Sequence, residues 1–310
     1  MFTLICALAP GCKRDAERTG DASEDEEAEP AGYDPDARAL AEQPEDPSKM
    51  ALIDPGAEPR AVLRHGPLGS SRRVMLRTST YIHDEGDPRP FIEMTLTWAG
   101  ASAAGEAFGY RWAVVKAKND FGGDFGEDTK ADEFSRNLAK MFENLRGQAT
   151  GSPTGLTRLI QTKGMQATPS PVGQLYLFAV PLPEEAVGVG AVWERTTDPN
   201  FAEDPEGPER PKLLSPKPAR DEDEIVRVER YSLADRQGDV LTLDYELSLG
   251  RRGDEEPAET ASGRFAVVLG DPLAQAGSFD LVSVSVLPAR DDREEQRFEH
   301  RQRISLETLE

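Results

Sequence analysis

The chain has 310 residues, 57 acidic against 36 basic, and a formal net charge of −21 at pH 7. A chain this acidic lacks the clustered positive face that holds a nucleic-acid backbone through counterion release, so no nucleic-acid partner is expected. It holds no apolar run near the roughly 20 residues of a spanning helix. Its hydrophobic share of 37% lies below the usual globular level of about 45–50%, so part of it is expected outside any core.

Residues 1–12 read MFTLICALAPGC, a near-continuous apolar stretch ending in small residues before a cysteine. It resembles the type II signal peptide of bacterial lipoproteins, with Gly11 as the small residue before the cut. The resemblance implies lipidation of Cys12, a membrane partner reached through its acyl chains, and a place in the bacterial cell envelope with the folded domain outside the cytoplasm. Each buried CH₂ contributes about 0.8 kcal/mol, so more than one chain gives a stable anchor. Both cysteines, Cys6 and Cys12, lie in this segment. The thiol-free remainder excludes disulfides, a cysteine nucleophile and a thiolate metal site from the folded part.

Residues 13–48 are rich in Glu, Asp, Ala and Pro, with an acidic run from Glu24 to Glu27 and only Tyr33 and Leu40 as sizeable apolar groups. Such a segment cannot offset its ordering entropy, and its like charges keep it extended. It is expected to be a disordered acidic tether, with a single β-rich domain following over 49–310.

From Lys49 the pattern turns strand-like. In residues 72–82, Val74, Leu76, Thr78 and Thr80 share a face; in 91–98, Ile92, Met94, Leu96 and Trp98; in 108–118, Phe108, Tyr110, Trp112 and Val114. A period of two with β-branched and aromatic residues marks half-buried strands. Residues 129–146 instead place Phe134, Leu138, Met141, Phe142 and Leu145 at spacings of three and four, which predicts one amphipathic helix. Thr129 with Asp132 resembles a capping box, and Arg146 with Gly147 suits a helix end.

Strands are expected again at 156–162, 174–180, 191–197, 225–233, 240–249, 263–269, 279–287 and 296–306, with polar loops over 198–223 and 250–262. Because the strands do not alternate with helices, βαβ units are not expected. The fold class is mainly β (α+β): a strongly curved antiparallel sheet or half-barrel with one long helix packed on it. Two β lobes divided near residue 165 are the other arrangement the pattern allows.

Residues 181–193, PLPEEAVGVGAVW, combine Pro-Leu-Pro, an acidic spacer, Val-Gly-x-Gly and Trp193. This is similar to a segment in an uncharacterised family of bacterial exported lipoproteins. LRGQATGSPTGLTRLIQTKG, Tyr231-Ser232-Leu233 and SGRFAVVLGDP have counterparts in that family. The resemblance spans roughly residues 60–310 and implies an exported, membrane-tethered β-rich domain with no assigned activity. From the residues alone, Pro181 and Pro183 stop a strand, Gly188 and Gly190 permit close backbone approach, and Trp193 anchors the next strand in the core. A glycine-lined ligand mouth at Gly188, Gly190 and Trp193 is the functional alternative.

No nucleophile elbow, HExxH, Walker loop or strand–GxGxxG–helix unit occurs. The three histidines, His65, His83 and His300, sit in or beside polar strand ends, where a solvated ring is expected. Asn119, Asp120, Asp124 and Asp128 lie in NDFGGDFGED, an oxygen-rich, glycine-rich turn of the kind that binds calcium, though without EF-hand spacing. Its other reading is an acidic lead-in to the helix. No cofactor and no enzymatic activity are expected. The functional expectation is a membrane-tethered extracytoplasmic binding or interaction module whose partner, a protein or a lipophilic ligand, the sequence does not name. A carrier of a lipophilic ligand is the alternative, and a hydrolase of envelope polymers is the remaining one.

Overall fold

A computed structural model describes residues 49–68, 71–81, 91–104, 107–120, 129–163, 171–197, 225–251, 256–287 and 296–309. The signal segment, Cys12, the acidic tether, the 198–223 loop, His83, Asp124 and Asp128 lie outside them.

The described chain is mostly antiparallel β, with a single helix. In chain order the strands are β1 (Lys49–Asp54), β2 (Ala61–Val62), β3 (Arg72–Tyr81), β4 (Phe91–Ala104), β5 (Ala107–Asp120), β6 (Arg146–Ser152), β7 (Gly155–Lys163), β8 (Ala186–Val187), β9 (Val192–Thr197), β10 (Ile225–Gln237), β11 (Val240–Arg251), β12 (Glu259–Val268), β13 (Ala276–Leu287) and β14 (Gln296–Leu309). Helix α1 spans Thr129–Glu143, and a 3-10 segment spans Pro171–Phe178. Twelve strands form one sheet in the order β1-β9-β10-β11-β12-β13-β14-β3-β4-β5-β6-β7, and β2 pairs with β8. Strands from both sides of residue 165 therefore share one sheet, and the division into two lobes does not occur.

Two meanders, β9 to β14 and β3 to β7, join where β14 pairs antiparallel with β3, Leu306 opposite Leu76. The alternation read from the sequence positions the core: Val74, Leu76, Met94, Leu96, Trp98, Phe108, Tyr110, Trp112 and Val114 are all buried. Residues opposite one another in neighbouring antiparallel strands share a face. The rings of Trp98 and Tyr110 stack at 5.0 Å, and those of Trp193 and Tyr231 at 5.9 Å.

Three local expectations fail. Arg146 and Gly147 do not end the helix but begin β6. Its inward positions, Gly147, Ala149 and Gly151, lie opposite Trp112, Tyr110 and Phe108. The strand leaves room for the neighbouring rings instead of adding bulk, so it carries no hydrophobic signal. Residues 174–180 are not a strand. They fall largely in the 3-10 segment, where residues three apart eclipse, and Leu175 and Phe178 are both buried. Met141 is 41% exposed although it belongs to the apolar stripe of α1. The packed face is rotated toward Leu138, Ala139 and Phe142. The helix packs beside β5: Glu143 accepts from the Ala117 N–H, and Ser135 donates to the Asn119 carbonyl.

The sheet has two unlike ends. The β10–β11 and β6–β7 hairpins close in two residues each, at 238–239 and 153–154. At the opposite end lie the strand termini Tyr81, Phe91, Thr197, Ile225, Arg251, Glu259, Leu287 and Gln296, which the longer loops of the sequence join.

Candidate functional site: a charged cleft at the loop-bearing end

Strand register stacks the inward residues of β9 to β13 in layers. The deepest of three is Trp193, Tyr231, Tyr245, Gly263 and Phe279; the next is Arg195, Glu229, Leu247, Ala261 and Leu281; the outermost is Thr197, Arg227, Leu249, Glu259 and Ser283. Charge thus enters the core where strand parity continues from aromatic to ionic residues. On β10 the inward face reads Arg227, Glu229, Tyr231, Leu233, and the valines Val226 and Val228 take the other face.

Glu229 is fully buried. Arg195 Nε donates to its Oε2 at 2.6 Å, Arg227 Nη2 to its Oε1 at 2.6 Å, and the Tyr245 hydroxyl to Oε1 at 3.1 Å. Burial alone would raise the Glu229 carboxyl, but the Arg195 and Arg227 guanidiniums outweigh it and hold it below the usual carboxylate range. Burial works against both guanidiniums too, and Glu229 reverses the effect and raises them. Burial, reinforced by the Glu229 charge, pushes the Tyr231 and Tyr245 phenols up. Two cations share one anion, so the trio holds one net positive charge in a low-dielectric setting. Among the described residues, the buried Arg227 Nε–H and Tyr231 hydroxyl have no hydrogen-bond partner.

Beside the trio lies a cleft of about 150 Å³, lined by Leu177, Arg227, Leu247, Leu249, Glu259, Phe279 and Leu281. Leu177 comes from the 3-10 segment, and the other residues come from β10 to β13. The cleft is apolar apart from Arg227 and Glu259. The Glu259 carboxylate accepts from Ser283 Oγ at 3.4 Å. Arg227 has Glu229 as its ion partner at 2.6 Å.

The 3-10 segment links strands far apart in the sheet order. Phe178 lies against Phe265 and Phe279 at 5.4 and 5.3 Å. The Tyr176 hydroxyl donates to the Leu156 carbonyl of β7 at 3.5 Å and accepts from Arg195 Nη1 of β9 at 3.5 Å. The Arg195 guanidinium lies 5.2 Å from the Tyr176 ring centroid, within cation–π range.

A second buried ion pair seals the tight-turn end. Arg72 Nε meets Asp271 Oδ2 at 2.9 Å, while the Arg72 guanidinium also donates to the Leu273 and Ala274 carbonyls, tying the β12–β13 turn to β3. His65 is buried nearby and not solvated as expected. Its Nε2 lies 2.8 Å from the Val180 carbonyl, the partner of an N–H there, and burial lowers the ring's pKa to about 4 despite that hydrogen bond. His300 is exposed on β14.

The sequence-derived candidates separate in space. Trp193 is buried, and its indole N–H donates to the Pro181 carbonyl at 2.9 Å. Gly188 lies against the chain at 57–59: a Cβ there would meet the Ala57 carbonyl oxygen at 1.8 Å. Gly190 has φ +87° and open space around it. The tight approach at Gly188 is a backbone contact beside the Trp193 anchor, and the cleft is lined by residues the motif does not contain. Asn119 and Asp120 end β5, on the other meander from the cleft. Among the described residues, no group of three His, Cys, Asp or Glu side chains is placed to hold a metal ion.

No protein-family model matches the chain, and no curated protein matches it. Among solved structures, that of Rv2717c from M. tuberculosis aligns with 78% of this chain and 92% of that one at 10% sequence identity, with a TM-score of 0.22. A likeness of that strength carries no functional inference.

Proposed function

We propose that the chain is a membrane-tethered extracytoplasmic binding module, held by acyl chains on Cys12, whose sheet curls as a half-barrel around the 3-10 segment and offers a small-ligand cleft at its loop-bearing end. The observation that carries the binding reading is the apolar cleft with Arg227 and Glu259 in its walls. The curl is supported by Tyr176. Its one hydroxyl bonds to both β7 and β9, which stand ten places apart in the sheet order. At about 4.8 Å per strand, a flat sheet would hold them on the order of 50 Å apart.

The size of the cleft favours a small ligand over a large lipophile. An apolar cavity of about 150 Å³ accommodates a benzene-sized molecule, and Phe178 with its ring neighbours already fills the adjoining face. A large lipophilic cargo would have to displace the 3-10 segment.

The anchor is tested by labelling with a tagged fatty acid, with label expected on the wild type and none on Cys12→Ala. The cleft is tested by titrating the full chain with benzene and following methyl resonances. Shifts confined to Leu247, Leu249 and Leu281, and abolished in Leu281→Trp, are expected. Unmoved methyls, or the same shifts in the Trp variant, would remove the cleft as a binding site. A protein-docking role is the second reading. It is favoured by the exposed apolar side chains Ile53, Val62 and Val189, which lie on the 49–62 segment and on the turn bonded to it through the Ala57 N–H.

A further inference from the structure

We infer that the cleft takes a free α-amino acid with an aliphatic side chain, its carboxylate on the Arg227 guanidinium and its ammonium on the Glu259 carboxylate. This rests on the cleft being a binding site and adds the chemical class of its occupant.

Three observations carry it. First, the outermost layer places Arg227 and Glu259 on either side of Leu249, two strands apart. Their Cα atoms are therefore about 10 Å from each other across the sheet. Among the described residues neither is the other's ion partner: Arg227 pairs with Glu229, and Glu259 is held by Ser283. The gap is of a size for a ligand head group with two opposite charges. Arg227 reaches the cleft wall while sharing Glu229 with Arg195, so two guanidiniums divide one carboxylate and a second acceptor would serve Arg227.

Second, the charges sum to the neutrality of a zwitterion. Arg195 and Arg227 against Glu229 and Glu259 leave no net charge around the cleft. A fatty acid would add one negative charge to this apolar setting and a simple amine one positive charge, each without compensation. An amino acid adds neither and gives each wall charge its partner. Desolvated charges are tolerated when paired in this way and costly when they are not.

Third, the rest of the wall is Leu177, Leu247, Phe279 and Leu281, and the volume is about 150 Å³. That suits a branched aliphatic side chain pointing inward with the head group at the mouth, whereas a long acyl chain exceeds it.

Calorimetric titration of the full chain with L-leucine, 4-methylpentanoate and 3-methylbutylamine tests the inference, with the benzene titration run in parallel. Leucine is expected to bind at least about tenfold more tightly than either analogue, the usual scale for leaving one buried charge unpaired. In Glu259→Gln, a change at a half-buried site that leaves the buried trio intact, leucine should weaken and its advantage over 4-methylpentanoate should disappear. If 4-methylpentanoate equals or exceeds leucine, the zwitterion assignment falls and the binding module stands. If benzene shifts the cleft methyls and none of the three ligands does, the assignment falls again. If benzene also fails, both readings fall together.

Discussion

Replacing Glu229 by Gln keeps the shape of the side chain and removes the charge that two guanidiniums share. Arg195 and Arg227 would then be left in the core 2.5–2.6 Å from a neutral amide in place of a carboxylate. Removing one partner from a buried ionic network costs about 3–5 kcal/mol, because the remaining charge has no compensation. For a domain of this size each kcal/mol moves the melting temperature by about 2–4 °C, so a drop of roughly 6–20 °C is expected at pH 7. Thermal and urea denaturation of the full chain, followed by tryptophan fluorescence, measures it. The triple change Arg195→Met, Glu229→Leu, Arg227→Met removes every charge at once and should recover most of the loss, since apolar replacement of a buried ionic cluster is often neutral. A Glu229→Gln drop below about 2 °C would refute the account of the trio as a buried, mutually dependent unit. So would a triple variant no more stable than the single one.

Because the folded-state pKa of Glu229 lies below the ordinary carboxylate value, its contribution is present above that ordinary value. It is lost as pH falls through the lowered one, so acid should narrow the difference between wild type and Glu229→Gln. His65 acts in a higher window. Its ring titrates at about 4 when folded against 6.5 when unfolded, so the unfolded chain takes up a proton that the native one refuses. Stability should decline by about 3 kcal/mol between pH 6.5 and 4, and urea midpoints across that range should decline less steeply in His65→Gln. Gly188→Ala forces a Cβ onto the Ala57 carbonyl and should cost about 1–3 kcal/mol, whereas Gly190→Ala meets no atom and costs only the left-handed backbone strain of about 1 kcal/mol. Equal denaturation midpoints for the two variants would contradict the close approach.

Much of the architecture was legible because the core strands β3, β4 and β5 obey a period of two. Val74 and Leu76, Met94 through Trp98, and Phe108 through Val114 fall inward as the pattern predicts. Legibility failed where inward positions carry something other than bulk. β6 is inward-facing through Gly147, Ala149 and Gly151, small because Trp112, Tyr110 and Phe108 fill the space, so its sequence reads as a turn. The 3-10 segment fails for the opposite reason: Leu175, Tyr176, Leu177 and Phe178 are apolar enough for a strand, and only their tertiary position across the sheet makes a tighter coil the better fit. The cleft was missed for a third reason. Arg195, Arg227 and Glu229 lie in strands whose two faces the sequence does not distinguish, because Val226 and Val228 alternate with the charges on β10. Their inward placement follows only if the parity of Trp193 and Tyr231 is carried back along β9 and β10, past the point where hydrophobicity stops marking it.

The β14–β3 seam has a consequence for how the molecule is made. Arg73 pairs with Leu309 and Tyr81 with Arg301, so the two meanders meet only when segments more than 200 residues apart in sequence come together. A chain emerging from its N-terminal end can zip β3 to β7 early and β9 to β13 later, yet each half keeps a bare strand edge until residues 296–309 arrive. Long-range pairings of this kind close slowly, and unpaired edges recruit other chains. Strand β14 therefore acts as the clasp between the two meanders. Nascent chains stalled before it should be the aggregation-prone and protease-sensitive species.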